Sequence, residues 1–549
     1  MTKEFRSFFA GTLLLLLASN IFINPAAGQE SQPAYDIVIR NGRVLDGAGN
    51  PWVAADVAIK DGRFVRIGKI EGKGKREIDA GGKYVSPGWI DMLDASGRVL
   101  MSSPLAESKL LMGVTTGISG EGGTPVPAEK LPEYFADLEK NGLGFNFGTY
   151  FSATQARVAV IGQEARDPTP EELDRMRAIV ETAMKGGALG ISTALIYPPA
   201  SFSKTDQLVE LAKVAGKYGG VYSSHIRGEG KELIEALEEA ITIGEKGGLP
   251  VEIYHLKAAY QPGWGTLMRE AGQKIESARA RGVDVAADMY PYTAGGTGLS
   301  AVVPAWASEG GNEKLLERLR DPAIRTRLKK EIKTGSPGWW NIVEAAGGWE
   351  NIVLVYSGNK DNERFEGKNL DQIAKEWNKD PADAAFDLLL EGTGRVSALY
   401  FLMTESDVET AMKFPWVSFG SDSAASAELV DPNTAGNGHP RGYGTFPRVI
   451  AEYVRKKKII SLPEAIRKMS SWPATRLRIP ERGMIKKGLW ADAVIFDYET
   501  IQDNSTYEYP FRPPSGIDYV LVNGQVVVEK GKHTGARPGR VIYGPGRQP

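Results

Sequence analysis

The chain has 549 residues, 42% of them hydrophobic and 24% charged, with 64 glycines and 32 prolines. That is the make-up of a globular protein, long enough for one large domain with appended modules. A net charge of -2 without a long basic run excludes an electrostatic nucleic-acid footprint, and the lack of cysteine excludes disulfides, a lipidated cysteine and thiolate metal ligands.

The first residues read as an export signal. Lys3 and Arg6 precede an apolar run from Phe8 to Ile23, and Ala26-Ala27-Gly28 offers small residues for cleavage. A signal over 1–28 and a linker over 29–34 are expected, with an uncleaved anchor as the alternative, disfavoured by the short apolar length. The expectation is a periplasmic or secreted bacterial protein without stable membrane association after cleavage.

From Asp36 the pattern turns to short alternating runs: Asp36–Arg40, Gly42–Leu45 and Val57–Ile59. Asn41-Gly42 and Asp61-Gly62 read as hairpin turns, because both turn residues need positive φ. The far end repeats this grammar in Ala493–Phe496, Tyr519–Val522 and, after Asn523-Gly524, Gln525–Val528. Two β-rich ends predict one small β-sandwich built from 35–85 and 475–545.

The middle, 86–474, alternates strand and helix. Strands are expected at Tyr84–Asp91, Gly113–Glu121, Asn146–Phe151, Leu189–Ile196, Val221–His225, Val251–His255, Asp284–Tyr290 and Trp416–Asp422. One helix starts at Thr169-Pro170-Glu171-Glu172, a capping box with proline at the first helical position, and places Leu173, Met176, Val180 and Met184 on one face. Another, after His225, aligns Leu233, Leu237, Ala240 and Ile241. Apolar strands in repeated βα units predict the α/β class and a (β/α)8 barrel of the TIM type, whose working end is the C-terminal end of its strands. The stretch 305–350 is longer than a βα loop requires and reads as a helical insertion, with a lid and a solvated surface helix as its two readings.

Under this count Glu121 ends the second strand, His225 the fifth, His255 the sixth and Asp422 the eighth. Histidine is scarce here, four in all. Two at adjacent strand ends, with carboxylates at two more, point to a metal site. Glu121, His225 and His255 would leave a coordination position for water, and the metal would acidify that water and polarise a carbonyl. A carboxylate beside the water can take its proton and return it to a leaving nitrogen. Asp422 is the candidate. The structural alternatives are a helix N-cap for Asp422 and a plain tight turn for Glu121 among Gly120, Gly122 and Gly123.

Taken in order, Val85-Ser-Pro-Gly-Trp-Ile-Asp91, Gly113-Val-Thr-Thr116, Tyr222-Ser-Ser-His225, Asp288-Met-Tyr-Pro-Tyr-Thr-Ala-Gly295, Gly420-Ser-Asp422 and His439-Pro-Arg-Gly-Tyr-Gly-Thr-Phe-Pro-Arg448 form a specific pattern. It resembles the amidohydrolase superfamily, and within it the N-acyl-D-amino-acid deacylases (D-aminoacylases). The resemblance implies a zinc ion, hydrolysis of an N-acyl amino acid and His225 and His255 as ligands. It also implies Asp422 as general base, Lys257 and Arg441 on the substrate carboxylate, and Tyr290 at the reacting carbonyl. Two departures stand out. Leu93 and Ala95 replace a first-strand His-x-His, which makes a one-metal site the expectation. Glu121 stands where the family carries a metal-binding cysteine, giving two histidines and one glutamate. The expected function is an exported, zinc-dependent hydrolase of N-acyl-D-amino acids. A dipeptidase, a cyclic amidase and a catalytically silent binding protein are its rivals.

Overall fold

The computed structural model describes residues 34–426 and 438–548. The expected signal and all but residue 34 of the expected linker lie outside the described residues. Among the described residues no helix is long and apolar enough to cross a membrane.

Strands from both ends of the chain form one nine-stranded sheet. Tyr84–Pro87 joins the two ends, pairing in parallel with Tyr35–Val44 and antiparallel with Ala493–Phe496. Ile37, Ile39, Val57, Ile59, Phe64, Ile495 and Leu521 make a core of their own for this sheet. Asp61-Gly62 and Asn523-Gly524 are the expected turns, each with positive φ at both residues. Asn41-Gly42 is not. The strand runs straight through it from Tyr35 to Val44, and the register against Val53–Lys60 shifts between Ile39 and Gly42. Asn41, at φ 56°, spends its left-handed conformation on a β-bulge, the other structure that such a residue serves.

Eight parallel strands follow: Trp89–Asp91, Val114–Ser119, Asn146–Thr149 continued by Phe151–Ser152, Gly190–Ala194, Val221–His225, Val251–Ile253, Val285–Met289 and Val417–Phe419. Each pairs with the next in sequence order. The first and eighth are linked just past their ends, where Met92 N donates to Phe419 O at 3.1 Å and Asp422 N to Leu93 O at 2.8 Å. Their side chains are buried almost throughout, as a sheet covered on both faces requires. Parallel direction puts all eight C-terminal ends together, so the segments that leave them share one end of the molecule.

The flanking helices obey the expected stripes. On Leu233–Gly247 the buried set includes Leu233, Leu237, Ala240 and Ile241. On Pro170–Lys185 both halves of the capping box form, Glu172 N to Thr169 Oγ1 at 3.2 Å and Thr169 N to Glu172 Oε2 at 2.8 Å, a contribution of about 1 kcal/mol. Between the seventh and eighth strands the helices Asn312–Arg320, Pro322–Thr334 and Ile342–Ala345 occupy the expected insertion. They share a second apolar core with an antiparallel sheet of Ala294–Gly298, Ser397–Phe401 and Ile352–Tyr356.

The fourth and fifth strands approach so closely at Gly190 that a Cβ there would lie 2.0 Å from Val221 O. Gly190→Ala must push the strands apart. We expect it to lower thermal stability by about 1–3 kcal/mol or more, read by denaturant or thermal unfolding.

Candidate active site

At the shared end of the strands a cavity of about 250 Å³ is lined by Glu121, Tyr197, His225, Glu229, His255, Lys257, Tyr290, Gly296, Trp340 and Asp422, among others. Most of its polar wall comes from strand ends and the loops that follow them. His225 is the last residue of the fifth strand. His255 lies two residues beyond the sixth, in a left-handed backbone with φ 36°, and its N–H donates to Asp288 Oδ1 at 2.8 Å. Glu121 follows the second strand on a turn whose Gly120 backs onto Tyr150, leaving no room for a side chain: a Cβ would meet Tyr150 O at 2.4 Å.

The three expected ligands come together. Glu121 Oε1 is 2.8 Å from His225 Nδ1 and 3.2 Å from His255 Nε2. The two imidazole rings stand edge to face with centroids 4.4 Å apart. One donor atom from each of the three residues lies within 4.8 Å of the others. Ligands of a tetrahedral ion with bonds near 2.1 Å sit about 3.4 Å apart, so this set fits a single zinc-sized cation. Burial pushes the Glu121 carboxyl up, but hydrogen bonds from both histidines prevail and hold it well below the usual carboxylate range. It is therefore ionised, the state that a metal requires.

Glu229, which carries no sequence motif of its own, completes the polar floor. Its Oε1 accepts from Lys257 Nζ at 2.6 Å and lies 3.1 Å from His255 Nδ1. Lys257 Nζ lies 2.6 Å from the same nitrogen, so the His255 ring is held in place between a carboxylate and an ammonium. The one available signal is its place four residues after His225 in a glycine-rich loop. Tyr197, also not anticipated, stands 5.3 Å from the His225 ring, and its hydroxyl is 2.8 Å from Thr297 Oγ1.

The remaining expected residues line or adjoin the same cavity. Asp422, at φ 48°, pairs through Oδ2 with Arg441 Nη1 at 2.5 Å. Burial pushes its carboxyl up, against the pull of Arg441, and the charge of Glu121 raises it further. Arg441 also donates to Gly296 O at 3.3 Å, and its guanidinium lies 4.9 Å from the centre of the Tyr290 ring. Burial drives the Tyr290 phenol well above its ordinary value, so it remains a donor. Leu93 is buried and its carbonyl holds Asp422 N, while Ala95 is exposed; neither offers a metal donor. His439 is held by hydrogen bonds at both ring nitrogens, Nε2 with Ala294 O at 2.8 Å and Nδ1 accepting from Arg441 N at 3.2 Å.

Zinc should therefore raise the unfolding temperature of the protein. The gain is about 2.7 kcal/mol when free metal is 100-fold above its dissociation constant. In His225→Ala or His255→Ala that shift should vanish; an undiminished shift in both would remove them from the ligand set.

Comparisons with known proteins identify the family. Residues 383–528 match the amidohydrolase family. The chain is 31% identical to a D-aminoacylase of Alcaligenes xylosoxydans xylosoxydans over 535 residues, covering 93% of this chain and 98% of that protein. It is also 31% identical to an N-acyl-D-glutamate deacylase of the same organism over 533 residues, 93% and 97% of the two chains. A crystal structure of N-acyl-D-glutamate deacylase from Bordetella bronchiseptica, complexed with zinc and a phosphonate mimic of the tetrahedral intermediate, superposes with a TM-score of 0.77 at 28% identity. It covers 93% of this chain and 99% of that one. The chain is an amidohydrolase of the D-aminoacylase branch.

Proposed function

We propose that the protein hydrolyses the amide bond of an N-acyl-D-amino acid, yielding a carboxylate and the free D-amino acid. The observation that carries this reading is the meeting of Glu121, His225 and His255 in one cavity with Asp422, Tyr290 and Lys257, with Arg441 paired to Asp422 beside it. Glu121, His225 and His255 would hold one divalent ion, zinc by analogy with the relative's complex. Such an ion supplies Lewis acidity to the scissile carbonyl and to water.

The chain's own residues do the rest. Asp422 takes a proton from the attacking water and delivers it to the amide nitrogen as that bond breaks. Burial raises its pKa above that of a free carboxylate, which makes it a better proton acceptor. The Tyr290 hydroxyl donates to the carbonyl oxygen as negative charge builds there. Lys257 and Arg441 hold the substrate carboxylate. Each is already paired, with Glu229 and Asp422, yet an ammonium has three N–H donors and a guanidinium five, so both retain capacity.

Charge also limits the substrate. Three carboxylates (Glu121, Glu229, Asp422) face two cations (Lys257, Arg441), and a divalent ion leaves one positive charge in surplus. That balance suits a substrate with a single carboxylate. Ile196, Trp340, Ile342 and Leu402 supply the apolar wall, which supports a neutral side chain over an acidic one.

We further propose the architecture behind this site: a closed (β/α)8 barrel over 86–474, a β-sandwich from 35–85 with 475–545, and a lid centred on 305–350. Export to the periplasm or beyond rests on Lys3, Arg6 and the apolar run after them.

Asp422→Asn tests the assignment together with a panel of N-acetyl-D- and L-amino acids, dipeptides and cyclic amides. The variant should keep its metal and lose roughly 10²–10⁴-fold in kcat, and the parent should favour neutral N-acetyl-D-amino acids. Full turnover in Asp422→Asn would remove it from the base role. Metal binding without turnover of any panel member would favour a catalytically silent binding protein. Turnover confined to dipeptides would favour a dipeptidase, and turnover confined to cyclic amides a cyclic amidase.

A further inference from the structure

Lys109 is a charged side chain beside the site for which the proposed reaction has no use. It lies on the short helix Glu107–Leu111, just before the second strand, and its side chain has no solvent exposure. Its three N–H groups go to Asp91 Oδ2 at 2.9 Å, Ser421 Oγ at 2.6 Å and the Ser423 carbonyl at 2.6 Å. The ammonium also sits 2.9 Å from Asp94 Oδ1. Asp91 ends the first strand and Asp94 follows it. Ser421 and Ser423 flank Asp422 on either side.

These contacts fall on one junction. Asp91 Oδ1 accepts from Ser421 N at 2.8 Å, and Asp91 Oδ2 from Ser421 Oγ at 2.6 Å. Ser421 thus donates its hydroxyl proton to Asp91 and receives one from Lys109. Asp422 N donates to Leu93 O, and Ala95 N to Ser423 O at 3.1 Å. Residues 421, 422 and 423 are therefore each tied to the end of the first strand, and Lys109 holds two of the three. Asp422 between them has φ 48°. A side-chain-bearing residue keeps that left-handed backbone only where its surroundings over-determine it. Taking an ammonium and two carboxylates out of water carries a large desolvation cost, so the cluster is poorly explained as a source of stability alone.

We propose that Lys109 is a positioning residue: its ammonium bolts the end of the first strand to the Ser421–Ser423 segment and so aims the Asp422 carboxylate into the cavity. The proposal rests on the reading of Asp422 as the base. It differs from that reading in predicting a kcat effect from a side chain that touches neither substrate nor metal ligands.

The test is the double variant Lys109→Met/Asp94→Asn, which removes one charge of each sign, compared with the parent and with Asp422→Asn. Zinc content, thermal unfolding, kcat and KM are measured on each. A displaced catalytic group costs roughly 10²-fold, so kcat should fall by about that factor. KM and zinc content should stay within about twofold, because Lys257, Arg441, Glu121 and both histidines are untouched. A double variant that melts earlier yet keeps its kcat would overturn the proposal and leave Lys109 a structural residue. Should the double variant not fold, Ser421→Ala decides. It leaves the ion pairs in place and removes only the hydroxyl link, so kcat should drop several-fold at unchanged KM, and an unchanged kcat overturns the proposal. Full activity in Asp422→Asn would instead sink the base assignment, independently of the outcome at Lys109.

Discussion

One carboxylate oxygen, Oε1 of Glu121, lies between two buried imidazoles, and the rest of the cavity is arranged around that contact. Charges withdrawn from water are tolerable only when each is compensated nearby. The site meets this demand pair by pair: Glu121 with His225 and His255, Glu229 with Lys257, Asp422 with Arg441. The first two sets join different strand ends or loops, and Asp422–Arg441 joins the end of the eighth strand to the helix Arg441–Arg448, so the charges register the segments against one another as well as neutralising each other. On the proposed reading, a divalent ion replaces the direct contact among the first three and keeps their arrangement.

The scaffold explains how such pairing is possible. Parallel strands deliver unrelated segments of sequence to one end, where short loops project polar side chains inward. The chain between the seventh and eighth strands adds the opposite character. It contributes Trp340, Ile342, Tyr400 and Leu402 to the cavity wall from a separate apolar core. Polar chemistry thus comes from strand ends, and the apolar wall largely from the insertion. A change in side-chain preference can therefore arise in the insertion without disturbing the polar set, in keeping with equal identity to relatives named for different substrates.

Much of this was legible in the sequence because burial writes itself as apolar runs. The strands that end in His225 and at His255 are bounded by glycine and proline on one side and by the histidines on the other, and each of the eight strands expected in the middle of the chain contains an observed one. What escaped was governed by distant partners. Asn41-Gly42 satisfies the local rule for a hairpin, and only the length of the pairing strand makes it a bulge. The strand Ala294–Gly298 contains three glycines and shows no alternation, so its pairing with Ser397–Phe401 leaves no local trace. Glu229 is distinguished by Lys257 and His255, and Lys109 by a serine 312 positions away. No periodicity in the chain announces either.

X-ray absorption spectroscopy of the zinc-loaded protein probes the centre of this account most directly. A shell of two imidazole nitrogens with the remaining ligands oxygen, at one ion per chain, is the predicted result. A shell without imidazole, or one that persists intact when Glu121, His225 and His255 are all replaced by alanine, would contradict it.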